Sequence, residues 1–245
     1  YKSKSSGRTL RPGIVLDEEN RMLGVVTAQS LIQTVDDALS EDYARLAGLS
    51  AEEDLNETLV QSVRKRLPWL LVLLGLGMVV SSVVGLFESV VAQLTLIVCF
   101  QSLVLDMAGN VGTQSLAVTI RVLMDSETTG AQKRKLVWKE ARVGLMNGAI
   151  LGAASFALIG AYLLLRGEAA LMAFGVSGCI GIALIAAMLL SSISGTVIPI
   201  FFHKIKVDPA VASGPLITTI DDLVAVVTYY GLAWILLIDV LHLGG

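Results

Sequence analysis

The sequence is short of charge. Asp, Glu, Lys and Arg make up 16% of its 245 residues, where a soluble domain carries about 25%. The shortage is also uneven. Between Leu67 and Ser126 the charged residues are Glu88, Asp106, Arg121 and Asp125, and between Gly144 and Phe202 they are Arg166 and Glu168. A water-soluble fold is excluded for most of the chain. Cysteine and histidine are scarce as well, with 2 of each. Cys99 and Cys179 lie far apart inside apolar runs, which excludes a disulfide framework. His203 and His242 are isolated, so no zinc site is expected. The Lys/Ser-rich start leads into a strand-like run rather than the apolar core of a cleavable signal peptide. The net charge of −3 decides little, because the polar start and the apolar remainder differ so much; no nucleic acid is expected as a partner.

Apolar residues are abundant, at 54% and a mean hydropathy of +0.74. A bilayer core of about 30 Å needs about 20 apolar residues in a helix. Five segments satisfy this, at 67–87, 90–123, 136–165, 169–202 and 209–241. The expected fold class is therefore an all-α membrane protein with five transmembrane helices per subunit. Lysine and arginine bias sets the orientation. Arg64, Lys65 and Arg66 precede the first span, Lys133 to Arg142 flank the second connection, and Lys204 and Lys206 sit in the fourth. All three groups fall on one side if the N-terminus is cytoplasmic and the C-terminus outside, in a plasma or inner membrane.

Ahead of the spans, Gly13–Leu16 and Met22–Val26 flank the turn residues Asp17–Asn20 and predict a hairpin. Thr27 is the expected N-cap of a helix carrying Leu31, Ile32 and Val35. This β-turn-β-α pattern resembles the closing half of a CBS domain, with Gly24-Val25-Val26-Thr27 as its most recognisable piece. Ser50 followed by Glu53 reads as a capping box. Leu55, Leu59, Val63 and Leu67 then form one stripe of an amphipathic helix, and Pro68 is expected to restart the chain at the membrane. The division is 1–35 as a partial CBS-like cytosolic segment, 36–66 as connecting helices and 67–245 as the membrane domain.

Two segments carry chemistry. In the second span, Asp106, Gly109, Asn110, Gly112 and Gln114 crowd polar groups into a few turns, where each needs a partner. They read either as an interhelical hydrogen-bond cluster or as the lining of a cation path. In the fifth, Thr218 and Asp222 are i,i+4 neighbours on one helix face. No Lys or Arg follows Lys206, and intramembrane carboxylates normally mark ion or proton pathways. Asp221 is rotated about 100° from Asp222. The third span bears Gly144, Gly148 and Gly152 at intervals of four, a face for close helix packing.

Gly109-Asn110-x-Gly112-x-Gln114, and Asp208-Pro-Ala-x-Ala-Ser-Gly214-Pro215 followed by Thr218-Thr219-x-x-Asp222, resemble the signatures of the MgtE family. Arg66-Leu-Pro-Trp-Leu70, Phe87-Glu88-Ser89 and Lys139-Glu140 also fit it. The similarity spans roughly residues 12–241. Ala108 and Ala225 stand where the family often has glycine. The resemblance implies a homodimeric magnesium channel in the bilayer, not an enzyme, with a pore along the dimer axis between the second and fifth helices. It implies Asp222, Thr218 and Asp221 as metal-site residues and Gly109, Asn110, Gly112, Gln114, Gly214 and Pro215 as pore lining. Mg2+ is the expected transported ion, with Mn2+ or Co2+ as other candidates. Magnesium keeps several waters, so two symmetry-related carboxylates suit it. Glu88 is expected at the outer mouth, and Asp36, Asp37, Glu41 and Asp42 form a candidate regulatory cluster. A coupled divalent-cation transporter using the same carboxylates is the alternative. An aspartyl enzyme pairing Asp106 with Asp222, and a scaffold protein, fit the sequence less well.

Overall fold

A computed structural model describes residues 13–16, 21–49, 56–123, 129–207 and 214–242. The expected hairpin forms: β1 (Gly13–Leu16) pairs antiparallel with β2 (Met22–Val26), with a bulge between Val15 and Leu16. Thr27 caps α1 (Ala28–Leu46), its Oγ1 accepting from the Ser30 N–H at 3.0 Å. Leu31, Ile32 and Val35 on α1 are exposed. The helix runs without a break through 35–36.

Ser50 to Leu55, with the anticipated capping box, lie outside the described residues. The next helix, α2 (Leu59–Leu86), starts from Thr58, whose N–H donates to Gln61 Oε1 at 2.9 Å. Pro68 does not restart the chain, as the sequence had implied; α2 passes straight through it. Proline removes one N–H from the ladder, and a long apolar helix tolerates that loss. The basic residues Arg64 to Arg66 therefore lie within the span helix, with Lys65 paired to Glu57.

The second span divides into a short α3 (Glu88–Gln93) and α4 (Thr95–Leu123). α5 (Gly130–Leu165) begins six residues before the apolar run. Thr129 and Gln132 cap it reciprocally, through Thr129 N–H to Gln132 Oε1 at 2.7 Å and Gln132 N–H to Thr129 Oγ1 at 3.4 Å. α6 (Ala170–Lys204) and α7 (Gly214–Ala233) follow, and α7 continues as a π-helix over Trp234–Val240. Among the described residues, five helices are thus long and apolar enough to cross a membrane.

α5 and α6 pair most extensively. A Cβ at Gly144 would lie 2.8 Å from the Met188 carbonyl, at Gly148 2.8 Å from Ile185 Cα, and at Gly152 2.6 Å from the Gly181 carbonyl. The glycine face is therefore a backbone-to-backbone contact. Two apolar clusters join α4, α6 and α7. The larger includes Ile97, Val104, Ile180, Leu184, Tyr229 and Tyr230, and the smaller Leu116, Ile120 and Ile217. Tyr229 Oη donates to the Ile97 carbonyl at 2.8 Å, and Tyr230 Oη to Gln101 Oε1 at 2.6 Å. On all three helices a polar layer falls between the two clusters.

Candidate functional site

The polar layer is built where α4, α6 and α7 cross. Gly112 and Gly195 bring α4 and α6 together so closely that a Cβ on Gly195 would run into the Gly112 carbonyl. Asp221 enters the same crossing from α7 and is fully buried. Ser194 Oγ donates to Asp221 Oδ1 at 2.5 Å, while a Cβ on Gly112 would overlap the carboxylate. Among the described residues, Asp221 Oδ2 and Ser191 Oγ are buried without a hydrogen-bond partner at normal distance and angle. Next to this joint, Ser115 Oγ lies 3.2 Å from Glu140 Oε2 and 3.0 Å from Ser192 Oγ, and Ser192 Oγ donates to the Glu140 carbonyl at 2.6 Å. Hydroxyls and a carboxylate thus bind α5 to α4 and α6 inside the apolar bundle.

The neighbouring face of α7 has a different character. Thr218 and Asp222 are half-buried, one turn apart. Thr218 Oγ1 lies 3.5 Å from Thr113 Oγ1, and a Cβ at Gly109 would lie 3.1 Å from Thr218 Cγ2. Gly109 and Thr113 therefore bring the α4 motif against the α7 motif. Among the described residues the Asp222 side chain has no hydrogen-bond or ion-pair partner. On α4, Asp106, Asn110, Thr113 and Gln114 are exposed on the surface of the chain.

The anticipated residues thus divide. Gly109 lies against Thr218, Asp222 is half-buried one turn beyond Thr218, and Asn110 and Gln114 are exposed on α4. Gly112 and Asp221 point into the protomer. Gly214 and Pro215 open α7, and Pro215 Cγ is 3.6 Å from where a Cβ would stand on Gly48, at the end of α1. Gly48 takes a φ of +78°, the left-handed region that favours glycine, and a Cβ there would also press on Trp69. Glu88 is exposed in the first turn of α3, and Asp36, Asp37 and Glu41 are exposed on α1. The Asp42 side chain and residues 208–213 lie outside the described residues. Among the described residues no three His, Cys, Asp or Glu side chains converge as a metal cage. The serines of α6 were not singled out from the sequence. Their signal was present in Ser191-Ser192-Ile193-Ser194-Gly195-Thr196, a polar run inside the most apolar segment.

Among the described residues, five membrane-length helices around a buried polar joint define a multi-pass α-helical membrane protein. Residues 101–232 match the MgtE family, described as divalent cation transporters. The "Magnesium transporter MgtE" of Enterococcus faecalis is 36% identical over 219 residues, which is 89% of this chain and 46% of the relative. The protein of the same name from Bacillus subtilis is 36% identical over 219 residues, 89% of this chain and 47% of the relative. That of Thermus thermophilus is 29% identical over 225 residues, 91% and 48% respectively. The chain belongs to the MgtE family. It spans about half the length of these curated relatives.

Proposed function

We propose that this chain forms a magnesium-conducting pathway in a homodimer, with the ions passing along an axis lined by α4 and α7. One observation carries the reading. Asp106, Asn110, Thr113 and Gln114 are exposed in the middle of a membrane-spanning surface, where hydrocarbon gives polar groups no partner. A second copy of the same face would cover them and close a hydrated path between the two. Asp222 is the central ion-binding residue, with Thr218 one turn before it. Two Asp222 carboxylates match the charge of one divalent ion, and so few protein ligands suit an ion that keeps its waters. Magnesium is favoured by the names of the relatives, and manganese and cobalt are the competing ions. Gly109, Gly214 and Pro215 shape the lining. The basic groups of α2, α5 and the α6–α7 connection set a cytoplasmic N-terminus. Glu88 is assigned to the outer mouth, where a carboxylate raises the local cation concentration. The β1–β2–α1 unit is read as the closing half of a CBS domain.

The axial arrangement predicts that Asn110→Cys and Thr218→Cys each crosslink to their own copy in a second subunit. Disulfide or bis-maleimide dimers from both variants, each retaining transport, are the expected result. Failure of both to crosslink in transport-active protein would remove the axial path.

Asp36, Asp37, Glu41 and Asp42 crowd negative charge on α1 ahead of the spans. We assign them to regulation, with bound magnesium relieving their repulsion and lowering open probability. Neutralising all four with Asp→Asn and Glu→Gln should weaken inhibition by cytosolic magnesium in patch recordings. Unchanged inhibition in the fourfold variant would count against the assignment.

A further inference from the structure

A groove of about 890 Å³ runs between the end of α4 and the start of α5. Its charged lining is Lys135, Lys139 and Arg142, and Trp138, Val143 and Met146 form its apolar side. The three basic residues follow one another at steps of four and three, a single stripe on one helix face. All six side chains are exposed. We propose that this groove is a binding site for an anionic phospholipid, its headgroup phosphate on the basic stripe and its acyl chain along Val143 and Met146.

Three independent features support the assignment. The first is charge. α5 has no acidic residue in its first turn, although the positive end of a helix dipole favours one there. Lys133, Arg134 and Lys135 occupy that turn and the next instead, so the helix start is electropositive beyond what its dipole alone supplies. Lys133 turns towards α6, its Nζ 3.0 Å from His203 Nδ1. Lys139 lies 3.5 Å from Glu140 Oε1, yet its side chain remains 64% exposed. Among the described residues Lys135 and Arg142 have no ion-pair partner.

The second feature is depth. α5 has 36 residues and is about 54 Å long, well beyond a hydrocarbon core of about 30 Å. From Gly144 to Leu165 it carries no charge. The membrane boundary therefore falls at Arg142 and Val143, and the groove straddles it. The third is Trp138, 64% exposed and four residues above that boundary, at headgroup level where tryptophan is enriched. Basic recesses beside transmembrane helices suit anionic headgroups.

Trp138 also serves as the reporter. The chain has 3 tryptophans, so Trp69→Phe with Trp234→Phe leaves it alone. This protein would be reconstituted in vesicles holding equal fractions of phosphatidylglycerol and phosphatidylcholine, with bromine on the chains of one lipid or the other. Brominated phosphatidylglycerol should quench Trp138 with an apparent affinity about fivefold or more above that of brominated phosphatidylcholine, as expected for a few juxtamembrane cations. Lys135→Gln, Lys139→Gln and Arg142→Gln together should abolish the preference, while Lys135→Arg, Lys139→Arg and Arg142→Lys should keep it. Equal quenching by the two lipids, or a preference that survives neutralisation, would overturn the proposal. So would relief of the quenching by inorganic phosphate at constant ionic strength, which would make the stripe a free-anion site. None of these outcomes depends on whether α4 and α7 line a pore.

Discussion

Asp222→Asn is expected to reduce divalent-cation flux by about a hundredfold or more while leaving the protein folded. Asparagine keeps the shape and removes the charge. At an effective dielectric constant of about 20, one unit charge about 4 Å from another contributes about 4 kcal/mol, and the proposed homodimer would lose two carboxylates facing its ion. About 1.4 kcal/mol corresponds to tenfold, so a hundredfold loss is a conservative expectation. Folding should not suffer, because Asp222 is half-buried and its side chain has no hydrogen-bond or ion-pair partner to lose among the described residues. Removing a desolvated, unpaired carboxylate is neutral or stabilising. Asp222→Glu should also be impaired, since a further methylene moves the oxygens by roughly an ångström in a geometry that magnesium does not tolerate. Asp221→Asn should be milder, because that side chain lies inside the protomer and asparagine can still accept from Ser194. The measurements are magnesium-dependent growth of an uptake-deficient host and flux into proteoliposomes. Wild-type flux through well-expressed Asp222→Asn protein would transfer the central role to Asp221 or Asp106.

Gly112→Ala should be nearly as damaging, for a different reason. The new methyl would overlap the Asp221 carboxylate, at a joint where the Gly112 carbonyl already leaves no room for a Cβ on Gly195. Overpacking of this kind costs about 1–3 kcal/mol, and here it would rotate or displace α7, carrying Thr218 and Asp222 with it. Flux should fall at least about tenfold, and thermal stability in detergent should drop by a few degrees. The diagnostic is compensation. Asp221→Ala vacates the space that the methyl needs, and Ser194 keeps its bond to the Ser191 carbonyl at 2.9 Å. Gly112→Ala with Asp221→Ala should therefore be more stable than Gly112→Ala alone, a coupling that additive effects would not produce. Wild-type behaviour of Gly112→Ala, or strict additivity in the pair, would show that the contact does not hold α7.

The charge-poor segments made the five spans legible, because nothing but lipid suits helices of that length and composition. The glycine face of α5 was equally plain, since three glycines at intervals of four have few other uses. Helix ends were harder to read. Pro68 looks like a boundary, and the lysines of 133–135 look like a connection, yet both lie inside helices. One missing N–H does not stop a long apolar helix, and a span extends into the interface with its basic residues still attached. At the candidate site, Thr218 and Asp222 were separable from Asp221 by their rotation around the helix. The direction in which Asp221 points was not readable, because it depends on Ser194 and Gly112, each from another helix. The serines of α6 escaped notice because a small hydroxyl in an apolar run looks like a spacer until its partners are known.

α2 has no buried residue, and its principal contact in the bundle is with α7. Among the described residues, α4 to α7 form the packed bundle, and α2 lies on its outside, chiefly against α7 and more lightly against α3. The α5 and α6 backbones touch along the glycine face, and a load entering there would pass through α6 to α4 and α7. α2 meets α7 at the end where Trp69 and Pro215 converge on Gly48 and packs Val80, Val83 and Val84 against the larger cluster at the other, so a pull or twist on α2 arrives in part on the helix that carries Thr218 and Asp222.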